Sequence, residues 1–386
     1  EIGACDWSSD VCSSDLLFSN AKWTGPAEPV LHLVHALREA GVEVDYACTP
    51  RTKAGHNRVA EEARARGIEP LMSMHLRKHR NPWFNLRDRQ TLRRLLAERR
   101  YDLVHCHLDN DHLIAAGPAA QAGIPLVRSS YHGMGLPALP SYRRALSATR
   151  LVFEPSERAA LADRHQLGLD AERCVIVDTA IDLQRFDPTR PLPDGRARFG
   201  LGPDTFVFGI VARMQRHRRY EDLFEAFARL APAAPRAHLI VVGRGTRQAE
   251  VGYAPVKQHR LEGRVHFTGY LSDDEYVGML NALDAGIFLV PGSDGTCRAA
   301  REIMAMGKPV IAADRGMLRE IVTDHHDGLI AGHRADTLFT AMARLVQHPV
   351  HARELGQLAR STAEHRFAPE QVAARYAEQY AAILGA

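Results

Sequence analysis

The alternation of short apolar runs with amphipathic helical patterns constrains the fold of this chain more than any other feature. In the first half, the apolar runs with the length and composition of buried strands are 42–48, 101–107, 124–132, 149–156 and 173–182. A helical pattern at 30–41 precedes these runs and ends at Gly41, a residue type that suits a helix C-terminus. Continuous apolar strands separated by helices favour a parallel sheet that is covered on both faces.

The same alternation restarts after a segment rich in Pro and Arg at 187–204. The second series of strand candidates is 206–213, 237–245, 264–270, 285–292 and 309–314. Two series within 386 residues predict an α/β protein with two doubly wound, Rossmann-like domains, because a single core rarely supports that length. Ligands in such folds bind at the carboxyl ends of the strands, so we expect a ligand site in a central cleft that both domains face.

We expect the domain boundary to lie at the break between the two series. The predicted N-terminal domain is 17–186, the predicted C-terminal domain is 187–366, and the helical pattern at 367–386 is predicted to pack back across the boundary. Residues 1–16 are set apart because DWSSDVCSSDL, at 6–16, is similar to a translated sequencing-library adapter and has neither strand nor helix periodicity. We predict that this segment is an assembly artefact and that the native N-terminus, with any targeting signal, is missing.

Charge, cysteine spacing and hydropathy exclude several classes of protein. A formal charge of +3, with the positive residues scattered along the chain, does not favour a nucleic-acid partner. The six cysteines are widely spaced and form no CxxC pair, which is typical of reduced thiols in a cytoplasmic protein. No run of about 18 apolar residues occurs, so the sequence predicts no membrane span.

Two loops that follow strands of the second series contain candidate phosphate-binding residues. Arg213 and Arg218 lie between a strand and a helix, where guanidinium groups can pair with phosphate oxygens in bidentate fashion. Gly243 and Gly245 follow the next strand and would permit close approach of a ligand to the backbone. Solvated loop charges and a tight turn are the alternative interpretations.

The segment PGSDGTCRAAREIM places two carboxylates, Asp294 and Glu302, eight positions apart near the predicted start of a helix at Thr296. If Asp294 lies in the loop before the helix, the two acids flank a helix N-terminus whose N–H groups can bind a phosphate. Each acid could then bind hydroxyl groups of the same ligand. The alternative is that Asp294 only caps the helix and Glu302 is a surface acid. Glu320 follows the next strand and is expected on the same rim.

In the first half, the segment HCHLDNDH contains His105, His107, Asp109 and Asp111 within eight residues. An HxH pair at the end of a strand is a known zinc arrangement, so a metal-dependent hydrolase is one hypothesis for this chain. A polar loop at a strand terminus is the alternative, since no further ligand has a recognisable spacing. His132 lies at the end of the next strand and is expected to face the cleft.

Together these residues resemble family 4 of the glycosyltransferases, whose members have the two-domain GT-B fold. The resemblance is carried by GIVARMQRHRRYEDLFEAF, LIVVGRG, VHFTGYLSDDE and PGSDGTCRAAREIMAMGKPVIAADRGMLREIV. In this family a basic pair grips the donor diphosphate; Arg213 matches its arginine, and Arg218 replaces its usual lysine. The family's paired-glutamate motif falls on Asp294 and Glu302, with the first acid one methylene shorter.

The resemblance implies a retaining glycosyltransferase that uses a UDP- or GDP-linked sugar, without a metal or other cofactor, in the synthesis of a bacterial cell-envelope glycan. The implied catalytic residues are His132, Arg213, Arg218 and Asp294. The implied donor-binding residues are Gly243, Gly245, Tyr270, Gly295, Thr296, Glu302 and Glu320. The residues implied on the acceptor side are Gly25, His107 and Asp109.

The acceptor and the level of activity stay open at this stage. A glycan or lipid-linked acceptor is implied, and the basic helical pattern at 89–100 would suit peripheral contact with the inner face of a membrane. Thr296, Cys297 and the Thr179-Ala180 pair also depart from the family pattern. The departures at Asp294, Arg218 and Thr179 motivate a second hypothesis, in which the protein binds a nucleotide or a glycan without turnover.

Overall fold

The computed structural model describes residues 13–50, 56–292 and 296–385. The strands are β1 (Ser13–Phe18), β2 (Glu43–Cys48), β3 (Leu103–Cys106), β4 (Leu126–Ser129), β5 (Thr149–Glu154), β6 (Cys174–Ile176), β7 (Phe206–Val211), β8 (Ala237–Val242), β9 (Val265–Gly269), β10 (Ala285–Phe288), β11 (Val310–Ala313) and β12 (Gly328–Ala331). The α-helices are α1 (Ala27–Glu39), α2 (Arg58–Ala65), α3 (Pro82–Glu98), α4 (Asp109–Ala122), α5 (Pro140–Ser147), α6 (Glu157–Leu167), α7 (Tyr220–Leu230), α8 (Ala254–Gln258), α9 (Asp273–Asn281), α10 (Arg298–Ala305), α11 (Leu318–Ile321), α12 (Ala335–Gln347), α13 (Pro349–Arg366) and α14 (Pro369–Leu384).

The first unit contains the described residues up to Ala180 and those from Pro369 onward. Its six strands are parallel, in the order β2-β1-β3-β4-β5-β6. The order reverses between β1 and β3, so the loops after these two strands diverge and leave a crevice at the carboxyl edge of the sheet. The predicted parallel α/β architecture is confirmed for this unit.

Strand β1 lies inside the sheet, although part of it belongs to the segment that shows neither strand nor helix periodicity. Ser13–Leu16 form a strand there because pairing with β2 and β3 satisfies the backbone whatever the side chains are. The side chains suit the position poorly. Both carboxylate oxygens of Asp15 and the hydroxyl of Ser14 are buried without a hydrogen-bond partner among the described residues. Whether the segment is an artefact stays a prediction.

Helix α14 belongs to the first unit, although it is the last element of the chain. Its apolar face packs with α1 in one core. Two of its tyrosines also reach the sheet: the Tyr380 hydroxyl lies 2.6 Å from Nδ1 of His105, and the Tyr376 hydroxyl lies 2.8 Å from Oγ of Ser129. Since Nε2 of His105 is 2.8 Å from the same Ser129 hydroxyl, a buried polar chain links α14 to β3 and β4.

The second unit contains Ile181–Gly292 and Cys297–Ala368. Its six strands are also parallel, in the order β12-β11-β10-β7-β8-β9. Two apolar clusters, one on each side of the sheet, form its core. The order reverses between β7 and β10, which makes the carboxyl ends of these two strands the expected ligand site.

All the strand candidates of the second series coincide with strands of this sheet, and β12 was not predicted. Helix α10 begins at Arg298 rather than near Thr296, because Cys297 has a left-handed backbone with φ of 44° that interrupts the helix. The shift leaves Glu302 within the helix.

Candidate active site

The loop after β7 contains both predicted phosphate-binding arginines of the second unit. Arg213 is exposed, and Arg218 is half-buried. Nη1 of Arg218 donates to the carbonyl oxygens of Val290 at 3.0 Å and Pro291 at 3.4 Å, which follow β10. Arg218 therefore bridges the two loops that diverge at the point where the strand order reverses.

The Nε–H of Arg218 is buried and has no hydrogen-bond partner in the described part of the chain. A buried donor without a partner costs free energy of roughly 1–3 kcal/mol, so such groups usually serve a ligand or a structural water. An oxyanion at the carboxyl edge between β7 and β10 would satisfy this donor. This observation supports a phosphate site more directly than the presence of an arginine in a loop.

The glycines after β8 serve a packing role that the sequence interpretation had left open. A Cβ atom at Gly245 would lie 2.2 Å from the carbonyl oxygen of Met214, and one at Gly243 would lie 2.7 Å from that of Ala212. Gly243 also has a φ of 126°, which strongly favours glycine. The two glycines let the loop after β8 pack directly on the backbone that flanks Arg213, and so they fix the course of that loop.

Glu302 is not a surface acid, since only 4% of it is exposed. Its carboxylate accepts hydrogen bonds from the Tyr276 hydroxyl and from the guanidinium of Arg298, whose Nη2 lies 2.8 Å away. Burial and the adjacent carboxylate raise the pKa of Tyr276 well above its usual value, which keeps this hydroxyl a donor. The position of Glu302 is therefore fixed by groups on two helices, α9 and α10.

Five other residues of this half were predicted at the donor site. Asp294 and Gly295 lie outside the described residues. Thr296 is buried, and Glu320 is partly exposed at the end of α11. Tyr270 follows β9, is 73% exposed, and has the Arg244 guanidinium 5.4 Å from its ring centroid. An exposed aromatic ring at a strand terminus can stack on a nucleobase.

In the first unit, His132 and Asp109 meet at the carboxyl ends of β3 and β4. The Nε2 atom of His132 lies 3.0 Å from Oδ1 of Asp109. The same oxygen accepts from Nη2 of Arg128 at 2.6 Å, and Arg128 is only 1% exposed. Burial opposes ionisation of Asp109, but hydrogen bonds from His132 and the charge of Arg128 hold its pKa well below the usual range.

The remaining polar residues of HCHLDNDH point into the interior rather than toward a metal. Both ring nitrogens of His105 are hydrogen-bonded, one to the Tyr380 hydroxyl and the other to the Ser129 hydroxyl. Nδ1 of His107 lies 3.1 Å from the Tyr131 hydroxyl. Burial lowers the pKa of His107 to about 3, so its ring stays neutral. Within the described ranges no group of three or more His, Cys, Asp or Glu residues is arranged to hold a metal ion. These contacts disfavour the hydrolase hypothesis, and burial of His107 disfavours direct contact with an acceptor.

Asp111 connects the start of α4 to the loop after β1 through hydrogen bonds. Its carboxylate accepts from the backbone N–H of Ser19 at 2.9 Å and of Leu108 at 2.9 Å, and so joins the loops after β1 and β3. Burial raises its pKa to about 7, although these backbone hydrogen bonds favour the ionised form. Gly25, predicted on the acceptor side, lies in the turn that precedes α1, after the same β1.

Sequence reasoning missed three residues that hold the predicted ones: Arg128, Tyr276 and Arg298. Arg128 left a signal, because an arginine inside the apolar strand LVRSS must find an anionic partner when buried. Tyr276 left none, since its partner Glu302 lies 26 positions further along the chain.

Comparisons with known proteins cover both halves of the chain. The family model described as "Glycosyltransferase Family 4" matches residues 24–185, and the one described as "Glycosyl transferases group 1" matches residues 194–362. A D-inositol 3-phosphate glycosyltransferase from Streptomyces bingchenggensis is 31% identical over 62% of this chain and 54% of its own length. A second one, from Rhodococcus jostii, is 28% identical over 68% of this chain and 61% of its own length. The chain thus spans little more than half the length of these relatives.

Solved structures agree with the fold. A glycosyltransferase from Rickettsia africae superimposes with a TM-score of 0.80 at 16% identity, over 97% of this chain and 99% of its own. The Anabaena protein HepE, solved in complex with UDP and glucose, gives a TM-score of 0.75 at 18% identity, over 96% of this chain and 100% of its own. A UDP-N-acetylglucosamine 2-epimerase gives 0.63 at 14% identity, over 97% of each chain. The fold is therefore shared by different chemistries.

Proposed function

Because the chain belongs to glycosyltransferase family 4, as the matches to both of its halves indicate, we propose that it transfers a sugar from a nucleotide-diphospho-sugar to a glycan or lipid-linked acceptor with retention of anomeric configuration. The observation that carries the proposal is the Nε–H of Arg218, which lies beside the ends of β7 and β10 and is buried without a hydrogen-bond partner among the residues that the structure describes. An epimerase shares the fold, so the fold by itself does not support transfer.

The proposed donor site follows the carboxyl edge of the second sheet. Arg213 and Arg218 face the diphosphate, which gains negative charge as the anomeric bond breaks, and preorganised cations stabilise that charge. Glu302, held by Tyr276 and Arg298, accepts hydrogen bonds from the ribose. Tyr270 offers its exposed ring to the base. Asp294 is proposed to contact the transferred sugar, by resemblance only.

The proposed reaction keeps the anomeric configuration. The bond from the anomeric carbon to the donor diphosphate breaks on the same face from which the acceptor hydroxyl attacks, and a diphosphate oxygen takes the acceptor's proton. Nucleotide diphosphate and the new glycoside are the products. His132 of the first unit is proposed to contact the transferred sugar, and Gly25 lies on the proposed acceptor side.

The names of relatives guide the choice of donors and acceptors to test. A relative from Corynebacterium glutamicum, 26% identical over 70% of this chain and 74% of its own length, is a GDP-mannose-dependent mannosyltransferase that acts on a monoacylated phosphatidylinositol monomannoside. One from Escherichia coli, 24% identical over 67% of this chain and 70% of its own length, transfers galactose from UDP-Gal to a diphosphoundecaprenol-linked sugar. We propose a UDP- or GDP-linked donor and an acceptor of this kind, as part of cell-envelope glycan synthesis.

A basic groove on the first unit suits the proposed peripheral contact with a membrane. Arg80, Arg89, Arg93 and Arg144 surround a groove of about 620 Å³ between α3, α4 and α5. In the described part of the chain none of the four forms an ion pair with a carboxylate. Burial, with a contribution from the like charges of Arg80 and Arg93, lowers the pKa of Arg89.

Helix α3, which carries two of the groove arginines, also exposes apolar side chains. Trp83, 79% exposed, and Leu86, 47% exposed, lie on α3 itself. No helix in the described ranges is long and apolar enough to cross a membrane. A basic face with exposed apolar residues binds the surface of an anionic membrane without crossing it.

We expect the protein to sediment with phosphatidylglycerol vesicles and to lose this binding in high salt. The double variant Arg89→Gln/Arg93→Gln should bind these vesicles more weakly. Equal binding to phosphatidylcholine vesicles would refute the electrostatic explanation.

Nucleotide binding tests the donor site directly. Calorimetric titration with UDP and with GDP should show binding of one of them, and Arg218→Ala should weaken it by about 10–100-fold, the cost of losing a charge-assisted hydrogen bond. Arg216→Ala is the matched control, because Arg216 lies in the same loop but is exposed and paired with Glu250. Equal losses in both variants, or no binding of either nucleotide, would refute the proposed site.

A further inference from the structure

The contacts around Asp109 determine which nitrogen of His132 holds a proton. The tautomer follows from these contacts alone, whereas the ligand and the effect on turnover rest on the proposed function. Oδ1 of Asp109 lies 3.0 Å from Nε2 of His132 and 2.6 Å from Nη2 of Arg128. Two donors therefore converge on one acid.

The structure keeps Asp109 ionised. Arg128 is fully enclosed, and its other terminal nitrogen donates to the carbonyl oxygen of Leu108 at 2.9 Å, so the cation cannot move away. Asp109 is also the first residue of α4, where the helix dipole favours negative charge. An ionised carboxylate only accepts hydrogen bonds. The proton between the two side chains must therefore be on Nε2 of His132.

The other charges near His132 do not change this assignment. Asp163 on α6 faces the same region, but it is coupled to Glu154 on β5, and burial raises the pKa of both carboxyls. A protonated or shared carboxyl pair competes weakly for the imidazole. Asp109 is the acid in direct contact with His132 in the described part of the chain.

We propose that Arg128 and Asp109 are positioning residues that lock His132 in its Nε2–H tautomer and leave Nδ1 as a hydrogen-bond acceptor for a hydroxyl group of the transferred sugar. In this state His132 binds a hydroxyl donor and does not itself act as an acid. The recognised ligand chemistry is thus a sugar hydroxyl, and a donor that is deoxygenated at that position loses the contact. Losing a hydrogen bond to a charged group corresponds to about 10–100-fold in turnover.

The test uses the full chain without ligand, labelled with ¹⁵N histidine, and His132→Gln assigns the signal. The His132 ring of the wild type should be protonated at Nε2 and unprotonated at Nδ1. In Asp109→Asn the ring should shift toward a mixture of tautomers, because an amide can donate a hydrogen bond as well as accept one. Asp170→Asn, which replaces an exposed acid of the same unit, should leave the signal unchanged. Protonated Nδ1 in wild type, or an unchanged signal in Asp109→Asn, would overturn the proposal.

Kinetics supply the second measurement. With a UDP- or GDP-sugar that wild type turns over, Asp109→Asn should lower kcat by about 10–100-fold with a smaller change in KM, and Asp109→Glu should recover part of the loss. An unaltered kcat in Asp109→Asn would overturn the link to catalysis. If wild type turns over no donor, the proposed function fails, while the tautomer measurement still decides the positioning role.

Discussion

Replacing Asp15 by valine is predicted to stabilise the protein, and to do so more strongly as the pH rises. Asp15 is wholly buried in β1, and it lies directly opposite Asp45 of β2, an arrangement of like charges that weakens a sheet. Burial, with a contribution from Asp45, raises its pKa from 3.8 to about 8, and Arg99 only partly opposes this. Valine has a similar volume and prefers strands.

The size and sign of the effect follow from the pKa. The unfolded chain ionises near pH 3.8, whereas the folded chain holds the proton to about pH 8. Folding is therefore unaffected by this acid below about pH 4, is progressively disfavoured between pH 4 and 8, and is disfavoured by a constant amount above that. At about 1.4 kcal/mol per pH unit, the cost reaches up to about 6 kcal/mol above pH 8 and about 4 kcal/mol at pH 7.

Urea denaturation followed by circular dichroism, at several pH values from 4.5 to 8.5, measures this difference. Subtracting the free energy of unfolding of wild type from that of Asp15→Val cancels the groups that titrate in both proteins. Asp15→Asn is the control, since it removes the charge but keeps a buried polar group, and it should reproduce the pH-dependent part alone. A gain in stability that is the same at every pH would refute the reasoning.

Two further predictions concern the second unit. Gly245→Ala should destabilise the protein by more than about 2 kcal/mol and weaken nucleotide binding, because the new Cβ would lie 2.2 Å from the Met214 carbonyl oxygen. Gly202→Ala is the control, since its Cβ meets nothing within 4 Å. It should change the free energy of unfolding, measured in urea, by less than about 1 kcal/mol. Tyr276→Phe removes a donor to the buried Glu302 carboxylate, so it should lower stability by about 1.5–3 kcal/mol and raise the nucleotide Kd. A change in stability without any change in Kd would place Glu302 outside the nucleotide site.

The sequence predicted the architecture well because parallel strands buried on both faces leave a simple signal: continuous apolar runs separated by amphipathic helices. Periodicity gave no sign of a strand at Ser13–Leu16, where the place of β1 between two strands outweighs an unsuitable composition. The physical cost is visible at Asp15, whose carboxylate oxygens have no hydrogen-bond partner in the described part of the chain. Sheet pairing is set by the neighbours of a strand as well as by its own residues.

The sequence could suggest candidate site residues and their places in the fold, but it could not reveal their contacts. The spacing located Glu302 and His132 near strand ends, where ligands bind in this class of fold. It could not reveal that Glu302 is held by Tyr276 or that Asp109 joins His132 to Arg128, since these contacts link separate elements of the fold. The two glycines after β8 show the same limit, because the backbone that requires them belongs to another loop.

Release of nucleotide diphosphate from UDP- and GDP-linked sugars, measured with and without a lipid extract as the source of acceptor, tests the central claim most directly. We predict that one donor releases its nucleotide diphosphate and that an equal amount of a new glycoside forms. The extract should accelerate this release. Arg218→Ala should reduce the rate of release, whereas Arg216→Ala should not. Nucleotide binding without any release or glycoside, from any donor, would contradict the claim that this chain is a transferase.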